Sequence, residues 1–216
     1  MASTHQEHER YTTGEEIASS LTHGIGAGLS VAALAVLVTL SALAGDARRV
    51  VSFAVFGTCL LLLYLASACY HACRRPGRKR TLRVFDHVAI FLLIAGTYTP
   101  VALVGLRGGW GWILFGLIWG LAAFGILLEV FFLDRFRRLT LAVYLGMGWL
   151  AIIAIGPIID AMPTGALIWL GAGGVAYTGG VAFYLWRKLP YNHAIWHLFV
   201  LAGSTCHFFA FLLHLL

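Results

Sequence analysis

Apolar runs of about 20 residues follow one another down this chain, each long enough to cross the roughly 30 Å hydrocarbon core of a bilayer as a helix. Seven are read, at approximately 18–43, 51–73, 84–105, 110–133, 140–160, 165–186 and 193–215. Charge clusters and Gly/Pro turns divide them. Arg74 to Arg83 part the second from the third, and Asp134-Arg135-Phe136-Arg137-Arg138 part the fourth from the fifth. The predicted fold is all-α: a polytopic membrane protein with a seven-transmembrane-helix bundle over residues 17–216, preceded by a polar tail over 1–16. Of 216 residues 60% are hydrophobic and 11% charged, which no soluble domain of this size shares.

The cations orient the bundle. With the N-terminus inside, the inner face receives Arg10, Arg74, Arg75, Arg78, Lys79, Arg80, Arg83, Arg135, Arg137, Arg138, Arg187 and Lys188, and the outer face Arg48, Arg49 and Arg107. Twelve against three predicts a cytoplasmic N-terminus by the positive-inside rule. The net charge of +6 therefore belongs to loops beside anionic headgroups, and nucleic acid is not an expected partner. The polar start lacks a basic region followed by a short apolar core and a cleavage site, so no removable signal is expected and the first run stays as a span. The expected location is the inner (plasma) membrane, multi-pass.

Gly24-xxx-Gly28 and Gly116-xxx-Gly120 have the spacing that lets helices approach closely in lipid. Packing inside the bundle is the expected use, and a homo-oligomer interface is the alternative. Pro100 and Pro157 are expected to kink the third and fifth spans. Cys59, Cys69, Cys73 and Cys206 lack pairing spacings and read as small filler; Cys69 should point away from the face that Ser67 and His71 share.

His193-Ala-Ile-Trp-His197 opens the last run, and Ser67-Ala-Cys-Tyr-His71 closes the second, with Asp86 soon after. Residues four apart share a helix face, with Cβ atoms roughly 5–6 Å apart, which suits two corners of a metal site. The topology places His71, Asp86, His193 and His197 at the cytoplasmic ends of their helices, and it was fixed by Lys and Arg alone. Ionisable groups at membrane depth are costly and mark function. One histidine at a helix end is ordinarily a hydrogen-bonded interfacial residue; the whole set on one side favours a metal.

Zinc on His71, His193 and His197 would have three nitrogen ligands and an open fourth position, as catalytic sites do. Asp86 is the candidate general base and then acid for a water there, and Ser67 would orient that water or donate to a developing oxyanion. His87 is the alternative to Asp86, as a ligand. The last span continues as a polar stripe through Ser204, His207 and His214. His207 lies roughly 15 Å from His197 along the helix, too far to share the metal, and reads as a packing or cavity residue, with His214 interfacial. In the first span Glu16, Ser20 and His23 share a face. Either they offer polar groups to this cavity, or Glu15 and Glu16 favour the helix N-terminus while His23 bonds a neighbouring helix. His5 and His8 read as solvated tail residues.

Glu15-Glu16-Ile17, Thr22-His23-Gly24, Ser67-xxx-His71, Asp86-His87, Gly96-Thr97-Tyr98-Thr99-Pro100 and His193-xxx-His197, in this order, resemble the haemolysin III proteins. These are bacterial members of the superfamily of progestin and adiponectin receptors, more distantly related to the alkaline ceramidases. The resemblance runs from about residue 11 to the C-terminus. Ser19 departs from it, standing where many members carry asparagine. The resemblance implies a seven-helix bundle with zinc on His71, His193 and His197, a water held by Ser67 and Asp86, and hydrolysis of a lipid amide. The expected function is a zinc-dependent hydrolase of a lipid amide or ester, with membrane lipid as partner. A pore is the second reading, although the spans carry no ring of charges. A lipid-sensing receptor with a structural zinc is the third.

Overall fold

The computed structural model describes residues 11–133 and 135–216; the expectations for His5, His8, Arg10 and Asp134, and the side chain of Arg137, lie outside the described residues. The described residues are helical: α1 (Thr13–Leu43), α2 (Ala47–Ala72), α3 (Pro76–Pro100) running on as a π-helical turn (Val101–Leu106), α4 (Gly108–Phe132), α5 (Arg137–Gly148), a 3-10 stretch (Leu150–Ala154), α6 (Ile155–Ala161), α7 (Thr164–Leu185) and α8 (Asn192–His214). Among them seven segments are long and apolar enough to cross a membrane, α5 to α6 counting as one. The third span starts at Pro76 rather than at 84. Pro at the first helical turn forfeits no internal hydrogen bond, and the basic residues that follow extend the helix beyond its apolar part.

The two buried faces of the bundle differ in character. On α1 the outward stripe is Leu21, Ile25 and Leu29, whereas Ser19, His23, Ser30 and Ser41 are buried. In lipid the large apolar side chains lose nothing by facing out, and polar groups must find partners within. Ser30 and Ser41 do so by donating to the carbonyls of Gly26 and Leu37, each at 2.7 Å. The centre of the bundle is α3 with its π-helical continuation, whose Phe91, Ala95 and Ala102 are fully buried among Phe53, Phe56 and Ile118. Trp110 and Trp112 at one end and Trp186 at the other are exposed, where aromatic belts meet the two interfaces.

The glycine pairs do not serve the internal packing expected of them. A Cβ at Gly24, Gly28, Gly116 or Gly120 would meet nothing within 4 Å. The glycines that admit close approach are others: a Cβ at Gly26 would lie 2.6 Å from the Tyr64 ring, and one at Gly125 2.1 Å from Phe91. Spacing fixed the period but not which glycine faces inward.

Both prolines mark changes of helix type rather than simple kinks. Pro100 ends α3 as an α-helix and the chain proceeds with π geometry. Pro157 follows the 3-10 stretch, because its ring displaces the carbonyl four residues back and it brings no N–H. Tyr98 takes up backbone groups freed by this break: its hydroxyl donates to the Gly148 carbonyl and accepts from Ala151 N–H, each at 2.9 Å.

Candidate metal centre

Three elements bring the site together at one end of the bundle: the last turn of α2, the first half of α3 and the first turns of α8. The start of α8 is fixed from two sides. Asn192 Nδ2 donates to the carbonyls of Phe183 and Tyr184, both at 3.2 Å, tying it to the end of α7. Tyr191 adopts φ 57°, a conformation that bulky residues rarely hold, and its N–H donates to Glu15 Oε1 at 2.9 Å.

Among the described residues, His71, His193 and His197 each offer one ligand atom, and these atoms all lie within 4.8 Å of one another. Ring centroids are 4.9 Å apart for His71 and His193, 5.1 Å for His71 and His197, and 4.6 Å for His193 and His197. His71 and His197 are buried and His193 is half-buried. The other ring nitrogen of each is engaged. His71 Nδ1 donates to Glu16 Oε2 at 2.7 Å, and His197 Nδ1 to the Ser19 carbonyl at 3.1 Å. The Tyr11 hydroxyl stands 3.4 Å from His193 Nδ1. A proton on Nδ1 leaves the lone pair on Nε2, the usual arrangement of a metal-binding imidazole. Nε2 of His71 is buried with no hydrogen-bond partner among the described residues. An orphaned buried acceptor, facing two more imidazoles, fits a divalent cation such as zinc.

Ser67 and Asp86 are both buried and line the same cavity as His193 and His197. Ser67 Oγ is buried beside the Asp86 carboxyl. Cys69 is exposed, turned from the face that buries Ser67 and His71. The cavity, about 220 Å³, continues past Thr97 and Tyr177 to His207 and has mainly apolar walls from α3, α5 and α7. His207 accordingly lies away from the cluster, its Nε2 donating to the Leu170 carbonyl at 3.3 Å.

Asp86 and His87, between which periodicity left the choice open, both line the cavity and differ in their partners. His87 turns to Glu129 of α4 and hydrogen-bonds its carboxylate through Nδ1. Thr140 of α5 completes that group from 3.4 Å, and the Tyr144 hydroxyl donates to the His87 carbonyl at 2.8 Å. Glu129 escaped the sequence reading, although a lone carboxylate within Phe124 to Phe132 was a signal in itself. The two options for α1 are divided between its glutamates. Glu15 caps the helix with Thr12 in a capping box, whereas Glu16 reaches the site. His23 also reaches it, stacked on His197 with centroids 3.4 Å apart and 10° between planes.

Fold and cluster define the class: a seven-helix membrane protein with three histidines gathered inside one end of the bundle. A family model described as Haemolysin-III related matches residues 11–208, and the chain belongs to that family. It is 48% identical to Hemolysin-3 of Bacillus cereus over 202 residues, covering 94% of this chain and 92% of the relative. It is 46% identical to the Hemolysin-3 homolog of Bacillus subtilis (strain 168) over 204 residues, 94% of this chain and 96% of that one. A human protein, monocyte to macrophage differentiation factor, is 27% identical over 207 residues, 92% of this chain and 84% of its own.

Proposed function

We propose that this haemolysin III protein is a zinc-dependent hydrolase of a lipid amide or ester in the plasma membrane. Its N-terminus and metal site face the cytoplasm, a reading supported by the bias of twelve cations on that side against three on the other. Three imidazoles converging within 4.8 Å beside a buried carboxylate and an apolar cavity carry this reading.

His71, His193 and His197 would hold the metal by three nitrogens. Zinc held there would supply Lewis-acid activation of a carbonyl and of a water. Asp86 takes the proton of the attacking water as the bond to the acyl carbon forms. It then returns a proton to the departing nitrogen or oxygen as the acyl bond breaks, so base and acid are one residue. The Ser67 hydroxyl, buried beside Asp86, donates to the oxygen on which charge develops. The apolar walls of α3, α5 and α7 hold the acyl chain and keep bulk water from the carbonyl.

Released fatty acid from defined ceramides and phospholipids is the direct assay. His71→Ala should abolish both bound zinc and hydrolysis, whereas Asp86→Asn should keep zinc and lose turnover by at least about 100-fold. Undiminished turnover in Asp86→Asn would remove the general-base role. The name of the two bacillar relatives favours a second reading, membrane lysis. Conductance in planar bilayers that survives His71→Ala and His193→Ala would establish it in place of hydrolysis.

A further inference from the structure

The helix α1 supplies none of the candidate ligands, yet all three of them lean on α1 or on the residues just before it. His71 Nδ1 meets Glu16 Oε2 at 2.7 Å. His197 Nδ1 meets the Ser19 carbonyl at 3.1 Å and Thr22 Oγ1 at 3.3 Å. Tyr11, two residues before α1, approaches His193 Nδ1 at 3.4 Å. Glu16, Ser19 and Thr22 of α1, with Tyr11 just before it, all engage Nδ1, which leaves Nε2 of each ring free to serve as the ligand atom.

We propose that α1 is the outer sphere of the metal site, and that Glu16 is its principal positioning residue, setting zinc affinity by holding His71 through Nδ1. This rests on the reading that His71 binds the metal. Of these four described partners, Glu16 is the one that brings a charge. A carboxylate on Nδ1–H fixes the ring and increases the basicity of Nε2, and loss of such a partner weakens metal binding by about 10- to 100-fold. Glu16 is itself held: Lys79 Nζ of α3 contacts Oε1 at 2.7 Å, on the oxygen that His71 does not use. Lys79 in turn lies 5.0 Å from the Tyr70 ring centroid, next to His71 in α2. One carboxylate thus links α1, α2 and α3 at the edge of the site. The Ser19 contact also explains how this chain accommodates serine there: the backbone carbonyl, which any residue provides, accepts from His197.

Competition between the purified full-length protein and a chromogenic chelator gives the zinc dissociation constant. Glu16→Ala should weaken it by about 10- to 100-fold, and Glu16→Gln, which keeps an acceptor but no charge, by less. Lys79→Met should leave affinity within about threefold of wild type, since it removes no contact to a ligand. The zinc-free proteins should unfold at similar temperatures, and the visible absorption of the cobalt-loaded form should shift in Glu16→Ala. A helix contact of purely structural kind would lower the zinc-free unfolding temperature and leave the cobalt spectrum unchanged, which overturns the proposal. Wild-type zinc affinity in both Glu16 variants overturns it too, while the zinc site itself stands. A wild-type protein that takes up no zinc overturns the proposed function first, and this inference with it.

Discussion

Gly125 and Gly116 lie on the same helix and differ only in what surrounds them. A Cβ at Gly125 would stand 2.1 Å from the ring of Phe91, which is fully buried and packs at 4.4 Å on Tyr144. A Cβ at Gly116 would meet nothing within 4 Å. Alanine at either site gains up to about 1 kcal/mol of helix propensity. At Gly125 overpacking costs about 1–3 kcal/mol and outweighs it. Thermal unfolding in detergent should therefore fall for Gly125→Ala and hold or rise for Gly116→Ala. A loss at Gly116 would mean that a second copy covers that face. At this scale the sequence was a partial guide. The histidines, Ser67 and Asp86 were legible because two short motifs and a charge-based topology put them at one depth. Glycine facing, and the different partners of Asp86 and His87, were not, since neighbours in sequence point about 100° apart and only packing fixes the absolute rotation.

The broken fifth span is understood at the level of whole elements. Pro157 announces that a helix cannot run through regularly, but whether it kinks, tightens or opens depends on who receives the released backbone groups. Here the receiver is Tyr98 of α3, about fifty residues away, which no local reading supplies. Tyr98→Phe leaves one buried N–H and one carbonyl without this partner and should cost about 1–3 kcal/mol, read as a lowered unfolding temperature. Asn192→Ala similarly releases two carbonyls at the end of α7 and loosens the start of α8. Because His193 follows directly, that variant should lose zinc affinity as well as stability. The same logic explains why the two glutamates that open α1 were inseparable in sequence. One caps its own helix and the other crosses to α2, and the difference lies in the position of a neighbour.

For the molecule as a whole, seven spans place the termini on opposite faces, and the cation bias sets which is which. A phosphatase that acts only outside the cytoplasm, fused after Leu216, should be active, and a fluorescent reporter that folds only in the cytoplasm should be dark at that site. The reverse pattern would put the histidine cluster on the outer face and deny it a cytoplasmic substrate supply. The fold was legible because length and hydropathy dictate helices in lipid, whatever the local propensities. The candidate site was half legible: its three histidines carry sequence signals and Glu16 was one of two options, whereas Glu129 and Tyr11 meet partners up to 182 residues away, which only the tertiary structure brings near. Elemental analysis of the detergent-purified protein tests the central claim most directly. One zinc per chain in the wild type, and none in His71→Ala, His193→Ala or His197→Ala proteins that still fold, is the expected result. A wild-type protein without stoichiometric metal, or variants that keep it, would contradict the account.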